Sequence, residues 1–239
     1  MHILGTLSKS IKKSKMYQVK IKKKIQRFNK VLSIEGDKSL SIRWALISSQ
    51  SENKSRSVNL LLSDDVINTL KCLKKLGVKI KVSKNFCEID GVGLNGFKYK
   101  RNLTLDAGNS GTLGRLIMGL LTHSKETIKL KGDQSLSKRD FSRVSKPLEK
   151  FGAKFKSKYG KLPLSIKGAN KPNPIFYNEK KGSAQCKSAV MLAALNTYGE
   201  TVIKAKKSRD HTELMFKYLK LPISIKKNKS YDLIKIKGK

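Results

Sequence analysis

The sequence has few cysteines, few acidic residues and no long apolar run. Its three cysteines, Cys72, Cys87 and Cys186, are odd in number and show no C-x-x-C spacing. Such a set argues against a disulfide framework and a zinc site, and it favours reduced thiols in the cytoplasm. The longest apolar runs, such as "AVMLAAL", are far shorter than the roughly 20 residues that a membrane span needs. We therefore expect a soluble, cytoplasmic protein with no membrane partner.

The shortage of acidic residues gives the chain an extreme charge. It has 17 acidic and 53 basic residues, a formal net charge of +36, and only eight of the basic residues are arginine. Two interpretations compete: a nucleic-acid footprint, or lysines spread over solvated faces. The lysines alternate with apolar residues in "VKIKVSK" and "LIKIKGK", as on the wet face of a strand, and no nucleic-acid-binding motif accompanies them. We favour the second interpretation and expect only nonspecific nucleic-acid binding.

The N-terminus is basic throughout. Residues 1–30 contain ten basic residues and no acidic one, a composition that also occurs in organellar transit peptides. The segment "YQVKIKKKIQ" alternates like a strand and contains no arginine. A basic N-terminal strand is therefore favoured over a targeting signal, and both interpretations stay open.

An internal repeat organises the rest of the chain. Three apolar segments each open with small polar residues and carry one cation, and these cations, Arg43, Arg115 and Lys187, are 72 residues apart in both intervals. The pattern predicts three units of about 70 residues, each strand-helix-strand-helix-strand, at about 31–100, 101–170 and 171–239. Such units would pack helices against sheets around a pseudo-threefold axis, in an α/β (α+β) fold.

The second helix of each unit ends in a similar phrase. These phrases are "KLGVKIK", "KFGAKFK" and "KLPISIK". Gly77 and Gly152 are predicted to adopt the left-handed backbone conformation that often ends a helix. Pro222 is predicted to end the third helix instead, because proline cannot continue a helix.

The N-terminus of the first helix in each repeat unit suggests an anion site. A helix N-terminus presents unpaired N–H groups and the positive end of the helix dipole. Lys38, Ser39 and Arg43 of "GDKSLSIR" add an ammonium, a hydroxyl and a guanidinium, and threefold symmetry would converge three such starts on one cleft. Arg115 is predicted to support the second start rather than to bind directly. No Walker loop, dinucleotide fingerprint or metal-binding motif is present, so a small polyanion is the expected ligand and no metal is expected.

Five segments together resemble the N-terminal half of the 5-enolpyruvylshikimate-3-phosphate (EPSP) synthase family, from about Val31 to the end. They are "GDKSLSIR", "LDAGNSGTLGRLIMGLL", "GDQSLSKRDFSRV", "GSAQCKSAVMLAALNT" and "SRDHTELM". The resemblance implies transfer of the enolpyruvyl group from phosphoenolpyruvate to the 5-hydroxyl of shikimate 3-phosphate, with release of phosphate, in the shikimate pathway to aromatic amino acids. It implies a carboxyvinyltransferase that needs no cofactor.

The resemblance also assigns the substrate-binding residues. Those expected to bind shikimate 3-phosphate are Lys38, Ser39, Arg43, Ser183, Ala184, Gln185 and Arg209. Those expected to bind phosphoenolpyruvate are Lys38, Gly111, Arg139 and Gln185. Lys38 and Gln185 thus contact both substrates, and no residue of this half is assigned as catalytic.

Two residues depart from the family pattern. Asp140 follows Arg139 where the family usually has proline, and Ala184 stands where some members have a second serine. The sister family that transfers enolpyruvyl to a UDP-linked amino sugar often carries a cysteine in the loop corresponding to Gly132–Arg139. That loop has no cysteine here, so the sister activity is not expected.

The chain is about half as long as the family's enzymes. The resemblance places residues 1–30 with the other domain and residues 31–239 in a three-unit substrate-binding domain, and it leaves the second catalytic half absent. We therefore expect a truncated, split or incompletely recorded form that does not turn over alone, and a separately encoded C-terminal half is a candidate partner. The alternative is a noncatalytic polyanion-binding or nucleic-acid-associated protein that retains the fold.

Overall fold

A computed structural model describes residues 20, 22, 27, 29–84 and 86–239. The chain divides into two units, Met1–Ile34 and Glu35–Lys239, and the described residues of the first unit form no helix or strand. The predicted basic strand within residues 1–30 therefore lies largely outside the described residues. In the described part of the chain, no helix combines the length and apolarity needed to cross a bilayer.

The second unit is a mixed α/β structure, as predicted. Its helices are α1 Lys38–Ser48, α2 Asp64–Lys75, α3 Gly111–Leu120, α4 Gln134–Ser137, α5 Ser142–Glu149, α6 Ala184–Leu195 and α7 His211–Tyr218. Its strands are β1 Lys54–Val58, β2 Lys79–Val82, β3 Phe86–Asp90, β4 Thr104–Asp106, β5 Ile128–Lys131, β6 Lys154–Ser157, β7 Leu164–Lys167, β8 Phe176–Glu179, β9 Gly199–Lys206, β10 Ile223–Lys227 and β11 Tyr231–Gly238.

The strands form three sheets. Their orders are β1-β3-β2, β4-β5-β7-β6 and β8-β9-β11-β10. All described pairs are antiparallel except β4 with β5 and β8 with β9. Each sheet contains an antiparallel hairpin after its second helix, so each segment ends in two strands where the sequence predicted one. The arrangement of the three segments around a pseudo-threefold axis stays a prediction.

Helices α3 and α6 run parallel, and hydrogen bonds join them at both ends. Near their starts, Gln185 Nε2 donates to Thr112 Oγ1 at 3.0 Å. Past their ends, His123 Nε2 lies 3.4 Å from Thr197 Oγ1. Both helices are buried on nearly every side, because sheets and other helices cover them.

Helix α1 also runs parallel to α6, because hydrogen bonds join these two helices near their starts and past their ends. Arg43 Nη2 donates to Ser188 Oγ at 3.4 Å, and Asn196 Nδ2, past the end of α6, donates to Gln50 Oε1 at 3.3 Å. The helices α1, α3 and α6, which we call the three inner helices, therefore present their N-termini at one end of the unit.

The predicted helix ends are confirmed in two segments and differ in the third. Gly77 and Gly152 have φ of +89° and +100°, in the left-handed region that glycine tolerates. After α7 the left-handed residue is Lys220, at φ +52°, two positions before Pro222. Thus Pro222 follows a helix that has already ended.

We predict that Gly119→Ala destabilises the fold. A Cβ at Gly119 would lie 2.1 Å from Ala189 O, a backbone atom of α6 that cannot move without the helix. The substitution should lower the free energy of unfolding by about 1–3 kcal/mol or more, since overpacking forces backbone shifts. Urea unfolding measures the change.

Gly114→Ala, on the same helix, is the matched control. Its Cβ would meet the Phe141 ring edge at 3.2 Å, a side chain that can shift, while alanine favours the helix by up to about 1 kcal/mol. Equal stability of the two variants would show that the backbones of α3 and α6 are not in close contact at Gly119.

We also predict a pH dependence from His123, which follows α3. Burial lowers its pKa from 6.5 to about 4, and a hydrogen bond with the Ala193 backbone only partly opposes this. Below pH 6.5 the unfolded state therefore binds a proton that the folded state excludes, and stability falls as the pH drops from about 6.5 towards 4. His123→Gln should make the unfolding free energy less dependent on pH in this window. An unchanged pH profile would contradict the prediction.

Candidate anion-binding site

Side-chain caps define the starts of the three inner helices. Asp37 Oδ1 accepts from Leu40 N at 2.7 Å at the start of α1. Ser110 and Ser183 cap α3 and α6 through bonds of 3.2 Å, each accepting from the backbone N–H three positions ahead. These caps satisfy one N–H group at each helix and leave the other first-turn N–H groups facing the same end of the unit.

Arg43 is a buried cation held by neutral oxygens. Its side chain donates to Thr212 Oγ1 at 2.8 Å, to Ser39 O at 3.1 Å and to Ser188 Oγ at 3.4 Å. The residue is only 4% exposed, and burial lowers its pKa, while the more distant charge of Glu213 acts in the opposite direction. Among the described residues Arg43 has no ion pair, so its positive charge is available to an anionic ligand.

A cleft of about 530 Å³ opens at this end of the inner helices. The structure brings all seven residues predicted to bind shikimate 3-phosphate to its walls: Lys38, Ser39, Arg43, Ser183, Ala184, Gln185 and Arg209. The other lining residues are Thr112, Gly182, Ser208 and His211. Among all eleven lining residues, three are Lys or Arg and none is acidic, so the described walls favour an anion.

The buried carboxylate of Glu179 shapes the loop before α6. It is 4% exposed, and its two oxygens accept from Ser183 N at 2.8 Å and Lys181 N at 3.2 Å. Glu179 therefore fixes the backbone of Ser183, and the first turn of α6 faces the cleft.

Gln185 links the cleft to α3. Its Oε1 accepts from Arg115 Nη1 at 2.9 Å, while its Nε2 donates to Thr112. Arg115 Nη1 also lies 3.4 Å from Gly111 O, and its guanidinium lies 5.1 Å from the centre of the Phe141 ring. This geometry agrees with the prediction that Arg115 supports the start of α3.

Gly111 and Arg139 adjoin the cleft without lining it. A Cβ at Gly111 would lie 2.9 Å from Arg115 Nη1 and 3.1 Å from Arg139 Nη1. Arg139 is exposed and donates to Asn109 Oδ1 at 3.3 Å, and Asn109 in turn donates to Asp133. The four residues predicted to bind phosphoenolpyruvate therefore divide, with Lys38 and Gln185 in the cleft and Gly111 and Arg139 beside it.

Asp140, the departure from the family pattern, stabilises its own turn. Its Oδ1 accepts from Ser142 N at 2.7 Å at the start of α5, and hydrogen bonds with Ser142 lower its pKa. The carboxylate thus fixes the turn between Arg139 and α5 through this hydrogen bond.

Two further lysines near the inner helices, Lys38 and the repeat cation Lys187, differ in exposure. Lys38 Nζ is 3.1 Å from Asp65 Oδ2, and its side chain is 51% exposed, so this ion pair can open to a ligand. Lys187 is 1% exposed and forms an ion pair with the buried Glu213. The structure therefore gives Lys187 an internal role, although the sequence repeat placed it beside Arg43 and Arg115.

Sequence reasoning missed the residues that position these cations. Thr212 and Ser188 hold Arg43, Glu179 holds the loop before α6, and Asn109 holds Arg139. Arg43 and Thr212 are 169 positions apart, so no local pattern relates them. Thr212, Ser188 and Asn109 lie inside the segments that resemble the family, and this position was the only signal of their roles.

Comparison with known proteins agrees with this architecture. The sequence profile of EPSP synthase (3-phosphoshikimate 1-carboxyvinyltransferase) matches residues 22–239. The 3-phosphoshikimate 1-carboxyvinyltransferase of Ruthia magnifica is 46% identical over 199 residues, which are 83% of this chain and 46% of the relative. That of Paracoccus denitrificans is 39% identical over 209 residues, 86% of this chain and 47% of the relative.

A solved EPSP synthase from Acinetobacter baumannii superposes with a TM-score of 0.79 at 34% identity, covering 87% of this chain and 46% of that structure. Fold and cleft thus define a mixed α/β protein with a cleft lined by cationic side chains at one end of its inner helices. The chain belongs to the EPSP synthase (3-phosphoshikimate 1-carboxyvinyltransferase) family, a family of transferases, which confirms the resemblance found in the sequence. It spans less than half the length of the relatives it matches.

We predict that Glu213→Gln strongly destabilises the protein. The substitution leaves the Lys187 ammonium buried without a counter-charge, and breaking a buried pair on one side costs about 3–5 kcal/mol. Thermal and urea unfolding measure the loss. The double variant Lys187→Met/Glu213→Gln removes both charges and should recover most of it. Full stability of the single variant would mean that the two side chains are not paired in the interior.

Proposed function

We propose that this chain is the shikimate 3-phosphate-binding half of an enolpyruvyl transferase. The observation that carries the proposal is the buried Arg43 guanidinium, bound only to neutral oxygens at the wall of a cleft without described carboxylates. A phosphate or carboxylate there would receive charge-assisted hydrogen bonds from Arg43 and Arg209. The first-turn N–H groups of α1 and α6 would add the helix-end contribution.

The two substrates would be held on adjoining surfaces. Shikimate 3-phosphate would occupy the cleft against Lys38, Ser39, Arg43, Ser183, Ala184, Gln185 and Arg209. Phosphoenolpyruvate would lie towards α3, against Lys38, Gly111, Arg139 and Gln185. Gln185 supports this division because its side chain already contacts α3 from the first turn of α6. Two anions brought together repel each other, and preorganised cations on both surfaces offset that repulsion.

The reaction proposed for the assembled enzyme is enolpyruvyl transfer. In the net reaction, the 5-hydroxyl oxygen of shikimate 3-phosphate forms a bond to the enolpyruvyl carbon of phosphoenolpyruvate, and the bond between that carbon and the phosphate oxygen breaks. The released phosphate takes up the hydroxyl proton. A proton-transfer group must lie within hydrogen-bond reach of the reacting atoms. The described cleft walls offer cations, hydroxyls and an amide but no carboxylate.

We therefore propose that this chain alone binds and does not turn over. A complementary C-terminal half, encoded separately or continuous with it, would supply the acid–base groups. No metal or organic cofactor enters the proposed reaction, and the proposed location is the cytoplasm. The net charge of +36 is the observation that favours the alternative, a noncatalytic polyanion binder.

We predict saturable calorimetric binding of shikimate 3-phosphate to the chain. Arg43→Met should weaken it about 10- to 100-fold, since a hydrogen bond to a charged group contributes about 1.5–3 kcal/mol. Ser183→Ala should weaken it less. Arg101→Met is the control, because this arginine is 84% exposed and pairs with Glu126 outside the cleft. Unfolding curves confirm that each variant is folded.

Two outcomes would contradict the proposal. Equal affinity for inorganic tripolyphosphate, unchanged by Arg43→Met, would favour the polyanion-binding alternative. Phosphate release from the purified chain that depends on both substrates would show that this half is catalytically complete.

A further inference from the structure

The protein partners of Arg43 determine which of its N–H groups remain for a ligand. A guanidinium carries five N–H groups in one plane and can only donate. Nε donates to Thr212 Oγ1 at 2.8 Å, Nη2 to Ser188 Oγ at 3.4 Å and Nη1 to Ser39 O at 3.1 Å. Each of these bonds uses one N–H group, so one N–H group of Nη1 and one of Nη2 have no partner among the described residues.

Two hydroxyl groups occupy one side of this guanidinium. Thr212 Oγ1 and Ser188 Oγ lie 2.7 Å apart, and they accept from the neighbouring nitrogens Nε and Nη2. Two oxygens placed in this way match the bidentate geometry in which a carboxylate binds arginine. The hydroxyl pair carries no charge, so it holds Arg43 as a carboxylate would without neutralising it.

The hydrogen bonds of the two hydroxyls run in one direction. Ser188 Oγ donates its single hydrogen to Ala184 O at 2.7 Å, because a carbonyl oxygen can only accept. The bond between the hydroxyls must then use the hydrogen of Thr212, which leaves the lone pairs of Thr212 to face Arg43 Nε. The chain of bonds thus joins α1 through α7 to the first turn of α6.

A neighbouring ion pair keeps a carboxylate away from Arg43. Glu213 directly follows Thr212 on α7, and it pairs with Lys187, which directly precedes Ser188 on α6. All four of these residues are buried, so the hydroxyl pair and the ion pair are adjacent contacts between the same two helices. Because Lys187 neutralises Glu213, this carboxylate does not compete for the guanidinium.

We propose that Thr212 is a positioning residue for substrate binding: with Ser188 it occupies the Nε side of Arg43 and directs the unpartnered N–H groups of Nη1 and Nη2 into the cleft as a fork for a carboxylate or phosphate. The inference rests on the proposed function, in which Arg43 binds the anionic substrate. Arg43 lines the cleft and Thr212 is absent from its walls, so the hydroxyl acts through Arg43 and does not touch the ligand.

Calorimetry with shikimate 3-phosphate and the 239-residue chain tests the proposal. Thr212→Val keeps the shape of the side chain but removes its hydroxyl, so the guanidinium loses its Nε partner and can turn. Binding should weaken about tenfold, the effect of one hydrogen bond to a charged group. Thr212→Ser restores the hydroxyl and should keep the affinity within about threefold of that of the unaltered chain.

Thr69→Val is the matched control. Thr69 is also fully buried, and its hydroxyl donates to Asp65 O at 2.9 Å within α2, outside the cleft. This variant loses a buried hydrogen bond as Thr212→Val does, but it should leave the affinity unchanged. Urea unfolding confirms that each variant is folded.

Two further measurements separate positioning from packing. In an Arg43→Met background, Thr212→Val should cause no further loss of affinity, because the hydroxyl acts only through the guanidinium. In the ligand-free chain labelled with ¹⁵N-arginine, hydrogen exchange of the Arg43 Nε–H group should be at least tenfold faster in Thr212→Val and remain slow in Thr212→Ser. Loss of the signal in Arg43→Met assigns it.

Four results would overturn the proposal. They are unchanged affinity in folded Thr212→Val, equal losses in Thr212→Val and Thr212→Ser, additive losses in the double variant with Arg43→Met, and fast exchange of Arg43 Nε–H in the unaltered chain. Absence of saturable binding by the unaltered chain would instead contradict the proposed function. The exchange measurement, which needs no ligand, would then still decide whether Thr212 holds Arg43.

Discussion

The parallel packing of the three inner helices is the constraint on which the rest of the structure depends. Gly119 lets the backbone of α3 approach that of α6, and paired polar contacts join the helices at both ends. Because the helices are parallel, their N-termini collect at one end and their C-termini at the other. The cleft lined by Lys38, Arg43 and Arg209 lies at the first end, and the polar contacts of Asn196 with Gln50 and of His123 with Thr197 lie at the second. The position of the site is therefore a consequence of how the core packs.

Three cations at equal spacing along the sequence have three different environments. Arg43 is buried against hydroxyls and a carbonyl, so its charge remains available at the cleft. Arg115 holds Gln185 and the start of α3. Lys187 is neutralised by Glu213 in the interior. The difference arises from the partner that the third segment brings to each helix, since α7 supplies a hydroxyl to Arg43 and a carboxylate to Lys187. Equivalent positions in a repeat thus carry out unlike tasks.

Much of the fold and the composition of the cleft could be predicted from the sequence. The helix-start motifs are local, so they identified Lys38, Ser39, Arg43 and the "GSAQ" loop, and the structure places these residues on one cleft. The second strand of each hairpin was missed because β3, β7 and β11 follow short polar turns that resemble the end of a unit. The partners of Arg43 could not be found, because hydroxyl residues of α6 and α7 approach α1 only after the core has formed.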